Sequence, residues 1–317
     1  MNSNSNPELG SSSDDPKFVE FQKVIENMAK AVSAGNTTEA ERMGMEALMF
    51  AGEEAMHHPT PKQLAQEEAR RCEQSADWAG AEAAWLKALE LSKTESSIAH
   101  QVKPQLDLSG FFGLLGRWDE AWAHANAAVT GARGANIPPL LVMSLRNQAA
   151  CALKRGDSAT ALAAAKEAVD HVKPGPMSSP ALGRSLVLRA RCLLASGDLA
   201  AAERDLATAF DLLSPMSDAR FMAGLQSGIA QYWQVRGALL STQGKPVEAK
   251  EAWACAVDLY RQIAQLPQVE KRDVLSALSR SLEGFRKVLQ ELGDNKLAEQ
   301  TATEVESIGK QLGLPKN

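Results

Sequence analysis

The stretch "GDLAAAERDLATAF", residues 197–210, decides the fold. A Gly-Asp turn precedes a run in which small or apolar residues recur three and four positions apart, the period of a helix with one apolar face. The frame returns as "GNTTEAERMGMEAL" from Gly35, "ADWAGAEAAWLKAL" from Ala76, "GRWDEAWAHANAAV" from Gly116, "GDSATALAAAKEAV" from Gly156 and "GKPVEAKEAWACAV" from Gly244. A weaker seventh copy, "GDNKLAEQTATEV", begins at Gly293. The shared alanines are Ala40, Ala81, Ala121, Ala161, Ala202, Ala249 and Ala298, spaced 41, 40, 40, 41, 47 and 49 residues apart.

A fixed period of this size is the signature of a solenoid, in which each unit buries its apolar stripe against the next. Glycine at the turn supplies the positive φ that ends one helix. Alanine five and twelve residues later marks where the following helix approaches its neighbours closely. Ahead of each turn lies a second amphipathic stretch, such as "MSLRNQAACALKR" (143–155) or "QYWQVRGALLSTQ" (231–243). Each unit therefore reads as helix, turn, helix. The solenoid is expected over 17–312, between a disordered tail over 1–16 and a short tail over 313–317. The charge-rich last repeat is expected to cap the stack, and "LSPMSDARFMAG" (213–224) to be its most irregular point.

Composition narrows the function. With 34 Lys and Arg against 39 Asp and Glu, the chain carries a net charge of -5, which argues against a dedicated nucleic-acid binder. The N-terminus has no basic start followed by an apolar run, and no apolar stretch approaches the ~18 residues of a membrane span. A cytoplasmic protein is expected. The alanine-rich second helices, such as "LAAAKEAV", point to a bacterial chain. Cys72, Cys151, Cys192 and Cys255 form no metal-ligand spacing and read as reduced, packed residues. His57 and His58 precede "PTP" in a connection without a ligand partner, and His100, His124 and His171 read as surface or packing residues. Phosphate-loop, dinucleotide, zinc-hydrolase and serine-hydrolase signatures are absent. No catalytic residue, metal or cofactor is expected, and the chain reads as a non-enzyme.

The frame resembles the tetratricopeptide repeat at Trp233, Gly237, Leu240, Gly244, Ala249, Trp253 and Ala256, and at Ala69, Trp78, Ala81, Trp85 and Ala88. The resemblance implies an all-α, right-handed α-solenoid of about seven repeats. The usual period is 34 residues; the longer spacing here is similar to that of kinesin light chains, as is "SLRNQAACALKRGD" (144–157). Where the family carries Leu before the small residue of the first helix, this chain has Glu68, Gln148, Arg189 and Arg236, which must reach solvent or a partner. The tryptophans at repeat positions, Trp78, Trp85, Trp118, Trp233 and Trp253, read as core, and Trp122 as packing between units.

In the family the first helix of each repeat lines the concave face. The matching positions here are Gln63 and Arg70, Arg146 and Asn147, Arg184 and Arg191, Gln231 and Gln234, and Arg280 and Lys287. Such a stripe suits an acidic or C-terminal peptide, because Arg grips carboxylates in two places and amides satisfy a peptide backbone. The alternative is a solvated face whose arginines pair with nearby acids. The Lys and Asn of the chaperone-tail clamp are replaced by Leu106 and Gly110, which disfavours chaperone tails. The resemblance implies a scaffold or adaptor. Similar bacterial proteins are associated with bacterial tubulins, so the specific partner it implies is a tubulin-like filament. A peptide-binding regulator and a peripheral membrane-attachment adaptor are the alternatives.

Overall fold

A computed structural model describes residues 59–95, 97–172, 179–214, 223–266, 269 and 271–313, together with Lys23 and Asn27. The chain forms two units, Met1–Leu64 and Ala65–Asn317, and the account below concerns the second. The copy around Ala40, the tail over 1–16, His57, His58 and most of the 213–224 stretch lie outside the described residues.

Among the described residues there are twelve α-helices and no strand. They are α1 (Pro61–Gln74), α2 (Trp78–Lys93), α3 (Ala99–Leu114), α4 (Trp118–Ala135), α5 (Pro138–Lys154) and α6 (Ser158–Asp170). The series continues with α7 (Ser179–Ala195), α8 (Leu199–Leu213), α9 (Ala223–Thr242), α10 (Pro246–Ala264), α11 (Lys271–Glu291) and α12 (Asn295–Leu312). Each odd helix pairs with the even helix after it, giving six of the seven expected hairpins. The fold is a tetratricopeptide-like solenoid.

The turn is a two-residue device. The Asp198 N–H donates to Leu193 O at 3.0 Å and the Gly197 N–H to Leu194 O at 3.1 Å, the paired bonds that close an α-helix through a left-handed residue. Gly197 supplies that residue with φ 84°. Asp198 then caps α8, its carboxylate accepting from the Ala201 N–H at 3.0 Å. In the first described hairpin Ala76 fills the glycine position at φ 58°, a conformation that costs an L-residue roughly 1 kcal/mol.

The predicted alanines are the inter-helix contacts. Ala81, Ala121, Ala161, Ala202 and Ala249 are fully buried, as are Ala88, Ala128, Ala168, Ala209 and Ala256 seven residues on. A larger side chain at any of them would force two helices apart. The converse operates at Trp253, whose indole fills space left by glycines: a Cβ on Gly237 of α9 would meet it at 2.8 Å, and one on Gly284 of α11 at 2.5 Å.

The polar residues at the family's Leu position find partners, as expected. Arg189 grips Asp205 of its own hairpin through two bonds of 2.7 Å, and Gln148 donates to Asn126 at 2.6 Å. Glu68 pairs with Arg71, and Arg236 is partly exposed. Ion pairs also bridge successive even helices, Arg133 to Glu167 at 2.6 Å and Arg261 to Glu304 at 2.6 Å. Such exposed pairs contribute at most ~1 kcal/mol each and serve chiefly to set the stacking register.

One expectation is corrected and another extended. Cys151 and Cys192 are buried, but Cys255 is exposed on α10 and Cys72 is partly exposed on α1. The last hairpin does more than cap the stack. The Trp78 Nε1–H donates to the Gly313 carbonyl at 3.2 Å, and the Arg272 guanidinium lies 4.3 Å from the Trp78 ring centroid. The first and last hairpins of the Ala65–Asn317 unit therefore meet.

Candidate functional site

The inner helices of this stack face a common, partly open space. Residues seven apart on a helix lie two turns apart on one face, and two such pairs, Asn147 and Lys154 on α5 and Asp273 and Arg280 on α11, share a space with Arg191 of α7. A cavity of about 400 Å³ is lined by side chains of α3, α5, α7, α9 and α11, among them Asn147, Lys154, Arg191, Gln231, Asp273 and Arg280, with Trp118 and Tyr260 completing its wall. A second cavity of about 370 Å³ adjoins it, reaching Arg70 and Glu73 of α1, Trp85 of α2, and Lys103 and Asp107 of α3. Gly110, Leu114, Asn147 and Asp273 border both, so the two are lobes of one space.

The first lobe is cationic. Arg191 has no hydrogen bond and no ion pair among the described residues, and burial, followed by the nearby Arg280, holds its guanidinium below its ordinary range. Arg146 of α5 borders neither lobe. Burial, and then the like charge of Arg184, lowers it to about 10, and its Nε has no hydrogen-bond partner. Burial also lowers Lys154, with Arg191 and Arg280 adding to the effect and Glu283 opposing it; its Nζ lies 5.7 Å from the Trp118 ring centroid. Arg280 is exposed and bonded through Nη1 to Ser276 at 2.8 Å. The Tyr260 phenol, raised to about 12 by burial, is neutral at physiological pH. A desolvated guanidinium without a carboxylate is costly. An incoming anion removes that cost and gains two parallel charge-assisted hydrogen bonds.

The second lobe holds carboxylates. Glu73 accepts from the Trp85 indole at 2.5 Å, and Asp107 pairs with Lys103 through Oδ1. The other oxygen of Asp107, Oδ2, is buried and has no hydrogen-bond partner.

Five of the residues singled out by sequence border this space: Asn147, Arg191, Gln231 and Arg280 in the first lobe, and Arg70 with Asn147 again in the second. Asn147 also holds the inner layer together, its Oδ1 accepting from Ser109 of α3 at 3.0 Å. Arg70 lies 5.9 Å from the Trp85 ring centroid. Arg146 and Arg184 form a separate cationic pair on α5 and α7, Arg184 lying over Gly228 of α9. Gln234 and Lys287 border neither lobe: Gln234 clasps α9 to α11 through Ser281 at 2.9 Å, and Lys287 is exposed on α11. Gln63 bonds locally with Thr60 as a helix cap. Lys154, Asp273 and Asp107 escaped the sequence reading. The first two stand one heptad from Asn147 and Arg280, and that offset is the signal that finds them.

No protein-family model matches the chain, and no curated protein matches it. Solved structures do. Aspartyl phosphate phosphatase F from Bacillus subtilis is 14% identical over 95% of this chain and 73% of that one, with a TM-score of 0.58. The quorum sensor NprR from B. thuringiensis, in complex with its cognate peptide NprX, is 14% identical over 92% and 82%, with a TM-score of 0.52. BtubC from P. vanneervenii is 16% identical over 77% and 93%, with a TM-score of 0.48. At these identities the likeness is one of fold.

Proposed function

We propose that this protein is a non-enzymatic interaction module that holds a short, carboxylate-bearing peptide in the space lined by its inner helices. One observation carries the reading: Arg191 is desolvated in a cavity wall without an acid to neutralise it, while Lys154 and Arg280 stand beside it. A solvated face would have paired these cations, as the outer helices pair Arg133 and Arg261. Asn147 and Gln231 supply the amides that a peptide main chain requires. The fold shared with NprR, which is solved with a peptide, supports the same reading. A preformed cavity also spares the protein's share of the ordering cost of binding. The output would be regulatory, passed on through a separate partner.

The test is equilibrium dialysis of the full chain against a mixture of random-sequence pentapeptides. Retention by the wild type that falls at least tenfold in Arg191→Gln supports the reading, and no retention removes it.

A tubulin-like filament, the partner implied by the repeat resemblance, would have to engage the outer helices, because a filament surface is too broad for lobes of this size. Cosedimentation with tubulin-like polymers tests that adaptor role, and pelleting no greater than in a protein-only control ends it. Among the described residues no helix is long and apolar enough to cross a membrane. Attachment to a bilayer would therefore need a surface contact, which flotation with anionic vesicles measures.

A further inference from the structure

The two lobes carry opposite unmet demands. In the first, the Arg191 guanidinium has no hydrogen bond among the described residues and faces the same space as Lys154 and Arg280. In the second, Asp107 Oδ2 is buried without a hydrogen bond, although its other oxygen is paired with Lys103. An orphaned donor asks for an anion and an orphaned carboxylate oxygen asks for a donor, each at a cost comparable to a lost charged hydrogen bond. The lobes are continuous through Asn147 and Asp273, and Gly110 on their shared wall has nothing within 4 Å of where a side chain would begin. The contact of Trp78 with Gly313 and Arg272 joins the two ends of the stack beside them.

We infer that the ligand is a short peptide with both termini free, lying lengthwise through the two lobes. Its carboxylate meets Arg191, Lys154 and Arg280, and its ammonium meets Asp107. This rests on the peptide-binding reading above and deepens it by assigning each end of the ligand to a lobe. An internal segment meets both demands only where an acidic and a basic side chain stand at the matching separation, whereas every short peptide with free ends carries both charges. Pockets of ~300–1,000 Å³ enclose small ligands, and lobes of about 400 and 370 Å³ suit a peptide of about three to six residues. Direction follows from the charges, since the reversed peptide places each terminus against a like charge.

The experiment uses the full chain in equilibrium dialysis against three versions of one random pentapeptide mixture: both termini free, N-acetylated, and C-amidated. Retention of the free mixture should fall at least tenfold on capping either end. Asp107→Asn, nearly isosteric, should bind the N-acetylated and free mixtures equally, and Arg191→Gln should do the same for the amidated and free mixtures. Circular dichroism of each variant separates lost binding from lost folding, and if either variant fails to fold, the three mixtures on the wild type still decide. Equal retention of all three mixtures overturns the inference and leaves peptide binding standing. Retention of none overturns both.

Discussion

The Trp78 indole N–H donates to the main-chain oxygen of Gly313, 3.2 Å away and 235 positions further along the chain. This bond and the Arg272 guanidinium stacked on the same ring join the ends of a stack whose other contacts run between neighbours. Trp78→Phe keeps a ring for Arg272 and removes the donor. It should lower unfolding stability by about 0.5–1.5 kcal/mol, the net worth of one hydrogen bond, and urea denaturation measures it. Because closure shields the inner helices, the variant should also exchange the amide protons of α11's first turns faster.

Arg189 and Asp205 form a pair that cannot be cut in half. Both sit within the α7–α8 hairpin, with Asp205 almost wholly buried. Arg189→Met strands the carboxylate and should cost about 3–5 kcal/mol, whereas Arg189→Met with Asp205→Leu should recover most of the loss. Chemical denaturation of the two single variants and the double variant closes the cycle.

The unpaired cations predict a trade between stability and binding. Arg146→Met and Arg191→Met each remove a desolvated charge while keeping the bulk of the side chain. Each should raise stability by roughly 1–3 kcal/mol, and Arg191→Met should abolish peptide retention. A melting midpoint that falls in both variants would show that these guanidinium groups are stabilising as they stand.

Gly284 lies against Trp253 so closely that a Cβ would stand 2.5 Å from the indole. Gly284→Ala should therefore cost about 1–3 kcal/mol through overpacking. Pairing it with Trp253→Leu should relieve part of the loss. Thermal unfolding of the single and double variants measures both effects.

His124 makes stability depend on pH. Its ring stacks on Phe112 with centroids 5.3 Å apart and bonds to Gln105 at 2.7 Å, and burial lowers its pKa, with Glu120 opposing. The folded state thus binds the proton less well than the unfolded chain, whose histidine titrates near ~6.5. This contribution is complete above that value and is lost as pH falls from it through the lower pKa of the folded state. His124→Gln should show a smaller drop in melting midpoint between pH 7.5 and 5.5 than the wild type.

Much of this was written in the repeat. The Gly-Asp turns, the alanines five and twelve positions on, and the polar partners forced on Arg189 and Gln148 all follow from local geometry. A residue in the left-handed region, a side chain too small to separate helices, and a buried charge needing a partner are requirements that a short window of sequence displays. The positions of Arg70, Asn147, Arg191 and Arg280 around one space follow from helical periodicity, which assigns a face, while Arg146 and Arg184 of the same stripe border neither lobe. Periodicity also put Gln234 and Lys287 on that face, but a face does not say how far along the axis the space extends.

Only the tertiary structure decided that the stack closes on itself. Trp78, read from its repeat position as a core residue, packs against Phe111 and the core beside it and in addition holds Gly313 and Arg272. Closure depends on the small rotations between six hairpins added together, and no local pattern records their sum. Once the ends meet, Asp273 and Asp107 join Arg191 around one space, and a basic stripe becomes a two-lobed cavity with a cationic end and one of mixed charge.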